Sequence, residues 1–514
     1  MTPHTTLALG ATAPSREVLV AIDVGTSGAR ASAFDISGAP IAEVRRAYPT
    51  SLPKEGWAEQ DARRWQSASV SALAGLVRQL GPRSRIHGIG VTGQCPSVVP
   101  VDGGGLPLRP GIIYRDNRAT AEAAWMCECF GTAALHALTG HVPAAFHTAA
   151  KILWLRAHEP EVFARTRRFL QPTDCVVLAL TGEVGTDWTM AAATGLLDLR
   201  GRCWATGLLA NLDLDPDLLP SMRPSWSVTG HLRPALARRL GLLTAVPVVA
   251  GAGDSIACAI GAGVTAPGPV SEMAGSSTCL NSVVAEPLED VDVTHYPSAV
   301  EERGYLTEVG INTTGEALDW VVQLAYSGPG RRLRDSGYAR LDRDAAAMPP
   351  GADGLLFAPV LGDGERDDPE LRGAVTGLSL RHDHRAWGRA VLEGVAFGIR
   401  ARLETLGRAS TPLTELRVSG GGARLDSWNQ IKADVLGVPV IRVAGDATAA
   451  GAAMLAGIGT GVYRDADAAT AAGFRPGSRV EPDSQNRERY DEIYARYRAL
   501  IGSPVVRIHH RAED

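Results

Sequence analysis

No apolar run in this chain reaches the roughly 20 residues that a membrane-spanning helix needs, which argues against an integral membrane protein. There is no excess of basic residues either. Lys and Arg number 51 against 56 Asp and Glu, for a formal net charge of −5, so there is no electrostatic case for nucleic acid or for an anionic membrane surface. Residues 1–16 lack a basic start followed by an apolar core, so they do not read as a secretory signal and are expected to form a flexible leader. Cysteine is sparse: seven residues, at 95, 127, 129, 175, 203, 258 and 279, scattered and odd in number. That usage reads as reduced thiols in a cytoplasmic protein. Cys127 and Cys129 form a C-x-C with no matching second pair, so no zinc site is expected, and His509-His510 is too short for a metal tract. No segment is of low complexity.

What is present is an alternation. At 514 residues the chain exceeds one ordinary core and is expected to fold as two large domains. Strand-type runs alternate with helical ones through both halves, which argues for an α/β architecture. Val18-Leu19-Val20-Ala21-Ile22-Asp23-Val24 is an apolar strand ending beside a carboxylate. The turn Gly25-Thr26-Ser27-Gly28 and a returning run, Ala31-Ser32-Ala33-Phe34, follow it. Ile86 to Thr92 reads as a strand ending in Gly93-Gln94-Cys95-Pro96-Ser97. Pro247 to Gly251 repeats that design into Ala252-Gly253-Asp254-Ser255, with a helix expected from Ile256. The Pro/Gly stretch 265–269 is the best boundary. The second half then opens with Val270-Ser271-Glu272-Met273-Ala274 and the turn Gly275-Ser276-Ser277, so both halves start alike and point to an internal duplication. Apolar stripes at 391, 392, 395, 396, 399 and 403, and at 490, 493, 494, 497 and 500, predict two helices with one buried face each. Gly328 to Asp344 reads as a solvated helix-loop surface.

The chemistry gathers at strand ends. Exposed amides and small hydroxyls around residues 25–28 suit phosphate oxygens, and Asp23 beside them suits a Mg²⁺ riding on the phosphates. Asp254, at the end of a buried-type strand, reads in two ways. It can cap the following helix, or it can accept a hydroxyl proton as that hydroxyl attacks phosphorus. Gly420-Gly421-Gly422-Ala423, after the strand Glu415 to Val418, allows close backbone approach to a flat or phosphorylated ligand, or simply ends the strand. Gly445 to Gly457 is a small-residue helix suited to tight packing at a hinge.

Together these motifs resemble the FGGY family of carbohydrate kinases, within the actin–hexokinase–sugar-kinase superfamily, over residues 17–505. Ile22-Asp23-Val24-Gly25-Thr26-Ser27 resembles the first phosphate motif and Gly275-Ser276-Ser277 the second. Gly56-Trp57-Ala58-Glu59-Gln60-Asp61 with Trp65 resembles a Trp-x-Glu-x-Asp segment. Gly420 to Ala423 resembles the adenosine loop, and Ala250 to Asp254 resembles the base segment of xylulokinases in particular.

The resemblance implies two ribonuclease-H-like (actin-like ATPase) domains with a cleft between them: a sugar-binding domain over 17–266 and a nucleotide-binding domain over 267–505, with a tail at 506–514. It implies ATP and Mg²⁺, with Asp23, Gly25, Thr26, Ser27, Gly275, Ser276 and Ser277 on the phosphates and Asp23 on the metal. Gly315, Asp319, Gly421, Gly422, Ala423 and Ser427 would serve the adenosine side. Asp254 would act as base, with Gln94, Cys95, Pro96, Asp116 and Ser255 on the substrate side. The implied acceptor is a ketopentose of D-xylulose type or a related sugar or polyol. The implied setting is cytoplasmic, and a homodimer is common in the family.

Three segments depart from the family pattern. Cys95-Pro96 stands where xylulokinase-like members carry Met-His, Ser255 where an asparagine is usual, and Gly364-Glu365-Arg366-Asp367-Asp368-Pro369 where Gly-Glu-Arg-Thr-Pro is usual. A lost buried hydrogen-bond partner costs about 1–3 kcal/mol, enough to change which hydroxyl pattern is preferred. Two other classes compete: a superfamily ATPase that transfers phosphate to water, which would lack an acceptor-side base, and a nucleotide or sugar sensor without turnover.

Overall fold

The computed structural model describes residues 16–242, 245–326, 334–362, 364–365, 370–407 and 412–507. The leader before Arg16, residues 328–333, residues 366–369 and the His509-His510 tail lie outside the described residues.

The alternation seen in the sequence becomes two mixed sheets. The first holds β1 (Arg16–Val24), β2 (Gly28–Asp35), β3 (Pro40–Ala47), β4 (Ser84–Gly93), β5 (Val228–His231) and β6 (Pro247–Gly253), in the order β5-β6-β4-β1-β2-β3. The second holds β7 (Pro269–Ala274), β8 (Thr278–Val284), β9 (Thr294–Pro297), β10 (Tyr305–Ile311), β11 (Glu415–Gly420), β12 (Val440–Val443) and β13 (Pro476–Val480), in the order β9-β10-β8-β7-β11-β12-β13.

In each sheet a tight hairpin opens the unit and its second strand pairs antiparallel with a third. The first strand then pairs parallel with a later one, which pairs parallel with another. The run β3-β2-β1-β4-β6 is therefore repeated as β10-β8-β7-β11-β12. This is the expected α/β class, with two ribonuclease-H-like halves of actin-like ATPase type.

The helices used below are α1 (Ala62–Leu80), α2 (Asp254–Gly261), α3 (Gly315–Val321), α4 (Arg334–Ala347), α5 (His384–Gly407), α6 (Asp426–Leu436), α7 (Ala447–Gly459) and α8 (Ser484–Ile501). α5 and α8 bury the stripes that their spacing predicted. α4 departs from the solvated surface expected there. Leu341 and Ala345 are fully buried, because the helix lays one face on α5 and α6. Each sheet has its own apolar cluster, and a third joins the halves by packing Leu19, Val249, Ile256 and Ile260 against Met454 and Leu455.

Small residues set how close that junction is. A Cβ on Gly261 would stand 1.8 Å from the Ala447 carbonyl oxygen, and one on Gly451 would stand 1.8 Å from that of Ala257. α2 and α7 therefore meet through reciprocal glycines, one from each half, as the small-residue segment predicted. No helix among the described residues is long and apolar enough to cross a membrane, and no cluster among them could hold a metal through three or more His, Cys, Asp or Glu.

Candidate active site

β1, β4 and β6 run parallel, so their carboxyl ends share one edge, the place where open α/β sheets bind ligands. In register, Asp23 pairs with Thr92, and Gly93 pairs with Gly253. Asp23 and Asp254 are thereby set on either side of β4.

β6 ends at Gly253 and α2 starts at Asp254, earlier than the expected Ile256. Gly253 occupies the N-cap and no side chain caps this helix, so Asp254 is not the cap that the sequence alone allowed. Its carboxylate accepts the amide of Ser255 at 2.8 Å. Burial, chiefly, and the negative charge of Asp23 push its pKa up to about 7, with the charge of Glu308 adding to the effect. A carboxylate with proton affinity matched to neutral pH is what a general base acting on an alcohol requires.

Asp23 is buried at the end of β1 and takes a 2.8 Å hydrogen bond from Arg30 Nη2. Arg30, on the returning strand, also pairs with Asp446 from the other half. Burial raises the pKa of Asp23, and the Arg30 guanidinium opposes that rise. The turn beside it is held from behind: the Tyr48 hydroxyl donates to the Gly25 carbonyl at 2.6 Å, and Gln60 Nε2 donates to the Thr26 carbonyl at 2.7 Å. Ser27 is exposed at the tip of the turn. Asp23 is the residue placed to hold a divalent cation there.

The substrate side is built on Gln60. Its Oε1 accepts Trp65 Nε1 at 2.7 Å and Gln94 Nε2 at 2.8 Å, so one buried amide links the phosphate turn, α1 and the Gln94 loop. Asp61 caps α1. Cys95 follows with its sulfur packed against Gly253, and burial with the charge of Asp254 pushes its thiol pKa well up. Pro96 is buried beyond a cis peptide. Tyr114, 37% exposed, shares a 3.2 Å hydrogen bond with the Thr26 hydroxyl, and its pKa is raised by burial and by the charge of Asp254.

Two residues expected on this side are engaged by other groups of the protein. Asp116 is fully buried, and its carboxylate is taken up by the amides of Ala58 and Arg118 and by the Arg118 guanidinium. Its carboxylate is thereby tied into the wall that carries Arg118. Ser255 is buried, and its hydroxyl donates to Glu308 Oε2 at 2.6 Å, so that side chain is directed across to the other half.

The second turn comes from the second half. Gly275 and Ser276 are exposed, and the Ser276 carbonyl accepts the amides of Thr314 and Glu316, which fastens the turn to the start of α3. Ser277 lies beside them, half-buried. A Cβ at Gly315 would meet the Gly275 carbonyl oxygen at 2.1 Å, so that glycine allows the turn and α3 to approach. Gly420 has φ +86° and is packed on Ala274, and Gly422 lies against the Trp428 ring. Of the triplet, Gly421 is the one facing open space. Ala423 is buried below it. Asp319 accepts the Tyr338 hydroxyl at 2.5 Å, and the Ser427 hydroxyl donates to Asp342 at 2.6 Å. Gly364 and Glu365 hold Asn312 by hydrogen bonds.

Sequence reasoning flagged Asp23 and Asp254 but gave no role to Arg30, Gln60, Tyr114 or Glu308. Gln60 stood inside a quoted motif, so a signal existed for that one, and Arg30 lies between the first turn and the returning run. Glu308 lies in a strand with no motif of its own.

Comparison with known proteins agrees with this arrangement. Residues 18–261 match the model of the N-terminal domain of the FGGY family of carbohydrate kinases, and residues 271–460 match that of its C-terminal domain. The chain is 30% identical to a xylulose kinase of Bacillus subtilis (strain 168) over 94% of this chain and 96% of that one. It is 26% identical to a gluconokinase of the same organism over 82% of this chain and 83% of that one. The crystal structure of xylulose kinase from Rhodospirillum rubrum superposes with a TM-score of 0.88 at 33% identity, covering 95% and 99% of the two chains. This chain belongs to the FGGY family of carbohydrate kinases and is a xylulokinase-like sugar kinase.

Proposed function

We propose that this kinase moves the γ-phosphoryl group of Mg-ATP to a hydroxyl of a neutral ketopentose of D-xylulose type, or a related polyol, in the cytoplasm, with Asp254 as general base. The observation that carries the reading is the Asp254 carboxylate. It is uncapped, stands at a strand end, and has a pKa near 7. A sensor without turnover has no need of such a group.

The residues present fit a magnesium nucleotide. Mg²⁺ is commonly held by one or two carboxylates together with phosphate oxygens, and Asp23 stands beside one small-residue turn, with a second supplied by the other half. When bound, Mg-ATP supplies the phosphoryl group and neutralises its charge. Gly25, Thr26 and Ser27 from one half, with Gly275, Ser276 and Ser277 from the other, would cradle the phosphates, and Gly421 would leave room for the nucleoside. Asp254 would take the proton from the attacking hydroxyl at its carboxylate oxygen. Gln94, Cys95, Pro96 and Tyr114 would bound the acceptor, and the meeting of the halves would exclude water and align the reacting groups.

The electrostatics favour a neutral acceptor. Cys95 lies within the fields of the Asp254, Glu308 and Asp187 carboxyl groups, whose combined negative charge opposes an acid sugar. ADP release with Mg-ATP and a panel of ketopentoses, aldoses, polyols, glycerol and gluconate tests the reading. A strong response to one or two neutral compounds and none to gluconate is expected. Turnover with gluconate alone, or ATP hydrolysis indifferent to every acceptor, would refute it.

A further inference from the structure

Glu308 stands out among the buried charges the mechanism does not use. It lies on β10, opposite Asn281 of β8 in the register of the second sheet. Both side chains are buried, and Asn281 Nδ2 donates to Glu308 Oε2 at 3.3 Å. The same oxygen accepts the Ser255 hydroxyl at 2.6 Å. Ser255 directly follows the base, and its amide donates to the Asp254 carboxylate at 2.8 Å. A continuous chain of hydrogen bonds therefore runs from the second sheet, through Glu308 and Ser255, to the Asp254 carboxylate. A buried carboxylate is costly unless hydrogen-bonded. Here the partner that compensates it from across the cleft is the residue beside the base. One turn further along α2, Cys258 shares a 3.0 Å contact with the Ser419 hydroxyl, a second tie to the same half.

We propose that Glu308 is a positioning residue for phosphoryl transfer: through Ser255 it fixes the turn that carries Asp254, so that the base is held in place by the half of the molecule opposite to its own. The inference rests on the reading of Asp254 as the base. It gives Ser255, where family members usually carry asparagine, a partner that its sequence position does not reveal. The link also crosses the cleft, so any relative movement of the halves acts on the base directly, and placement of Asp254 is tied to the arrangement in which the two turns face each other.

The titratable groups that interact with Asp254 are Asp23 from β1, Cys95 from the loop after β4, Tyr114 from its own loop, Cys258 from α2 and Glu308 from β10. Asp23 and Glu308 are the two whose negative charge holds its proton affinity up. Removing the charge of Glu308 while keeping its shape must therefore move the acid limb of the pH profile downward, which a merely structural role would not do.

The test uses the full-length enzyme, with Mg-ATP and whichever acceptor it turns over best. Glu308→Gln is expected to keep most of kcat above pH 8 and to shift the acid limb of kcat/KM down by about half a pH unit. Ser255→Ala and Glu308→Ala are each expected to lower kcat about tenfold with KM for ATP unchanged, and the double variant no further, because the two residues act as one link. Ser255→Asn, whose amide can also donate to Glu308, is expected to restore much of the loss. An unshifted acid limb in Glu308→Gln, or losses that multiply in the double variant, would overturn the proposal. Asp254→Asn separates this outcome from failure of the underlying reading. If Asp254→Asn is inactive while the Glu308 and Ser255 variants match wild type, only the link is refuted; if Asp254→Asn keeps full activity, the base assignment falls first. Ser255→Ala removes one hydroxyl, so it keeps the test decisive should Glu308→Ala fail to fold.

Discussion

In the first half, β6 passes into α2 through Asp254; in the second, β12 passes into α7 through Asp446. The two aspartates hold the same place in the repeated topology, and their helices pack on each other through reciprocal glycines. Their surroundings differ in every other respect. Asp446 is the N-cap of α7, accepting the Ala449 amide at 3.0 Å, and it pairs with Arg30. Asp254 leaves its N-cap to a glycine and has no cation paired with it among the described residues. The first phosphate turn likewise follows a strand bearing Asp23, whereas the second follows Met273-Ala274 and brings no carboxylate at the corresponding position. Duplication supplied two equivalent strand-to-helix corners. One uses its carboxylate as a helix cap, and the other leaves its carboxylate uncapped, as the proposed base requires.

The largest expected effect breaks that equivalence at the active corner. Asp254→Asn should lower kcat by about 10²–10⁴, the usual contribution of general-base catalysis, with ATP affinity retained. Asp446→Asn should leave kcat near wild type. Steady-state rates and nucleotide binding on the two purified variants decide the point, and equal losses at both positions would mean that the corners share one role.

The junction between the corners comes next. Gly451→Ala should gain up to about 1 kcal/mol from helix propensity. Its new Cβ would nevertheless start 1.8 Å from a backbone carbonyl that a rotamer change cannot move. Overpacking of this kind costs about 1–3 kcal/mol or more, so a net loss near 2 kcal/mol is expected by denaturant titration. Gly207→Ala is the control, since a Cβ there meets nothing within 4 Å, and it should be neutral or slightly stabilising. A stable Gly451→Ala protein would show that the two helices are not tightly joined.

Much of this was legible in the sequence because strand ends, turns and glycines act locally. The strand into Asp23, the twin small-residue turns and the two amphipathic helices all follow from patterns within a dozen residues. The unforeseen features are the long-range ones. Ser255, on α2, and Glu308, on β10, are 53 residues apart, and nothing near Ser255 shows where its hydroxyl turns. Nor does the sequence show that the Asp116 carboxylate is held by Arg118, whose guanidinium lies 3.6 Å from the Trp57 ring centroid. The glycine triplet shows the limit most plainly. Gly420, Gly421 and Gly422 are identical in sequence, yet two are packed and one is open, and the difference lies entirely in what β7 and α6 bring against them.

The raised pKa of Asp254 also has a thermodynamic consequence. With a folded value of about 7 against an ordinary 3.8, the native carboxyl holds its proton where the unfolded one has lost it. The stabilisation is complete below pH 4 and is lost as pH rises through 7. Asp254→Asn removes that slope. It should be more stable than wild type by about 1–2 kcal/mol at pH 8, discounting the shift for contact with the cleft, and no more stable at pH 4. Thermal melts at the two pH values test this, and a constant difference would show that the carboxyl is not strained by burial.

The smallest effect sharpens the comparison from the other side. Asp446→Ala removes both a helix cap and a partner of Arg30. A lost cap costs about 1 kcal/mol. The ion pair adds little, because both side chains keep some solvent contact and Arg30 retains Asp23. Asp446→Asn keeps the cap and gives up only the charge, so it should lie close to wild type in stability, with Asp446→Ala about 1 kcal/mol below. The Asp446 charge is one of the influences holding the pKa of Asp23 up, so both variants should lower it alike, whatever they do to the helix. Stability that follows the cap, together with an Asp23 titration that follows the charge, would show the two functions of Asp446 to be separable. If instead Asp446→Asn is as unstable as Asp446→Ala, the tie to Arg30 and not the cap anchors this corner, and the halves are joined by electrostatics more than by helix geometry.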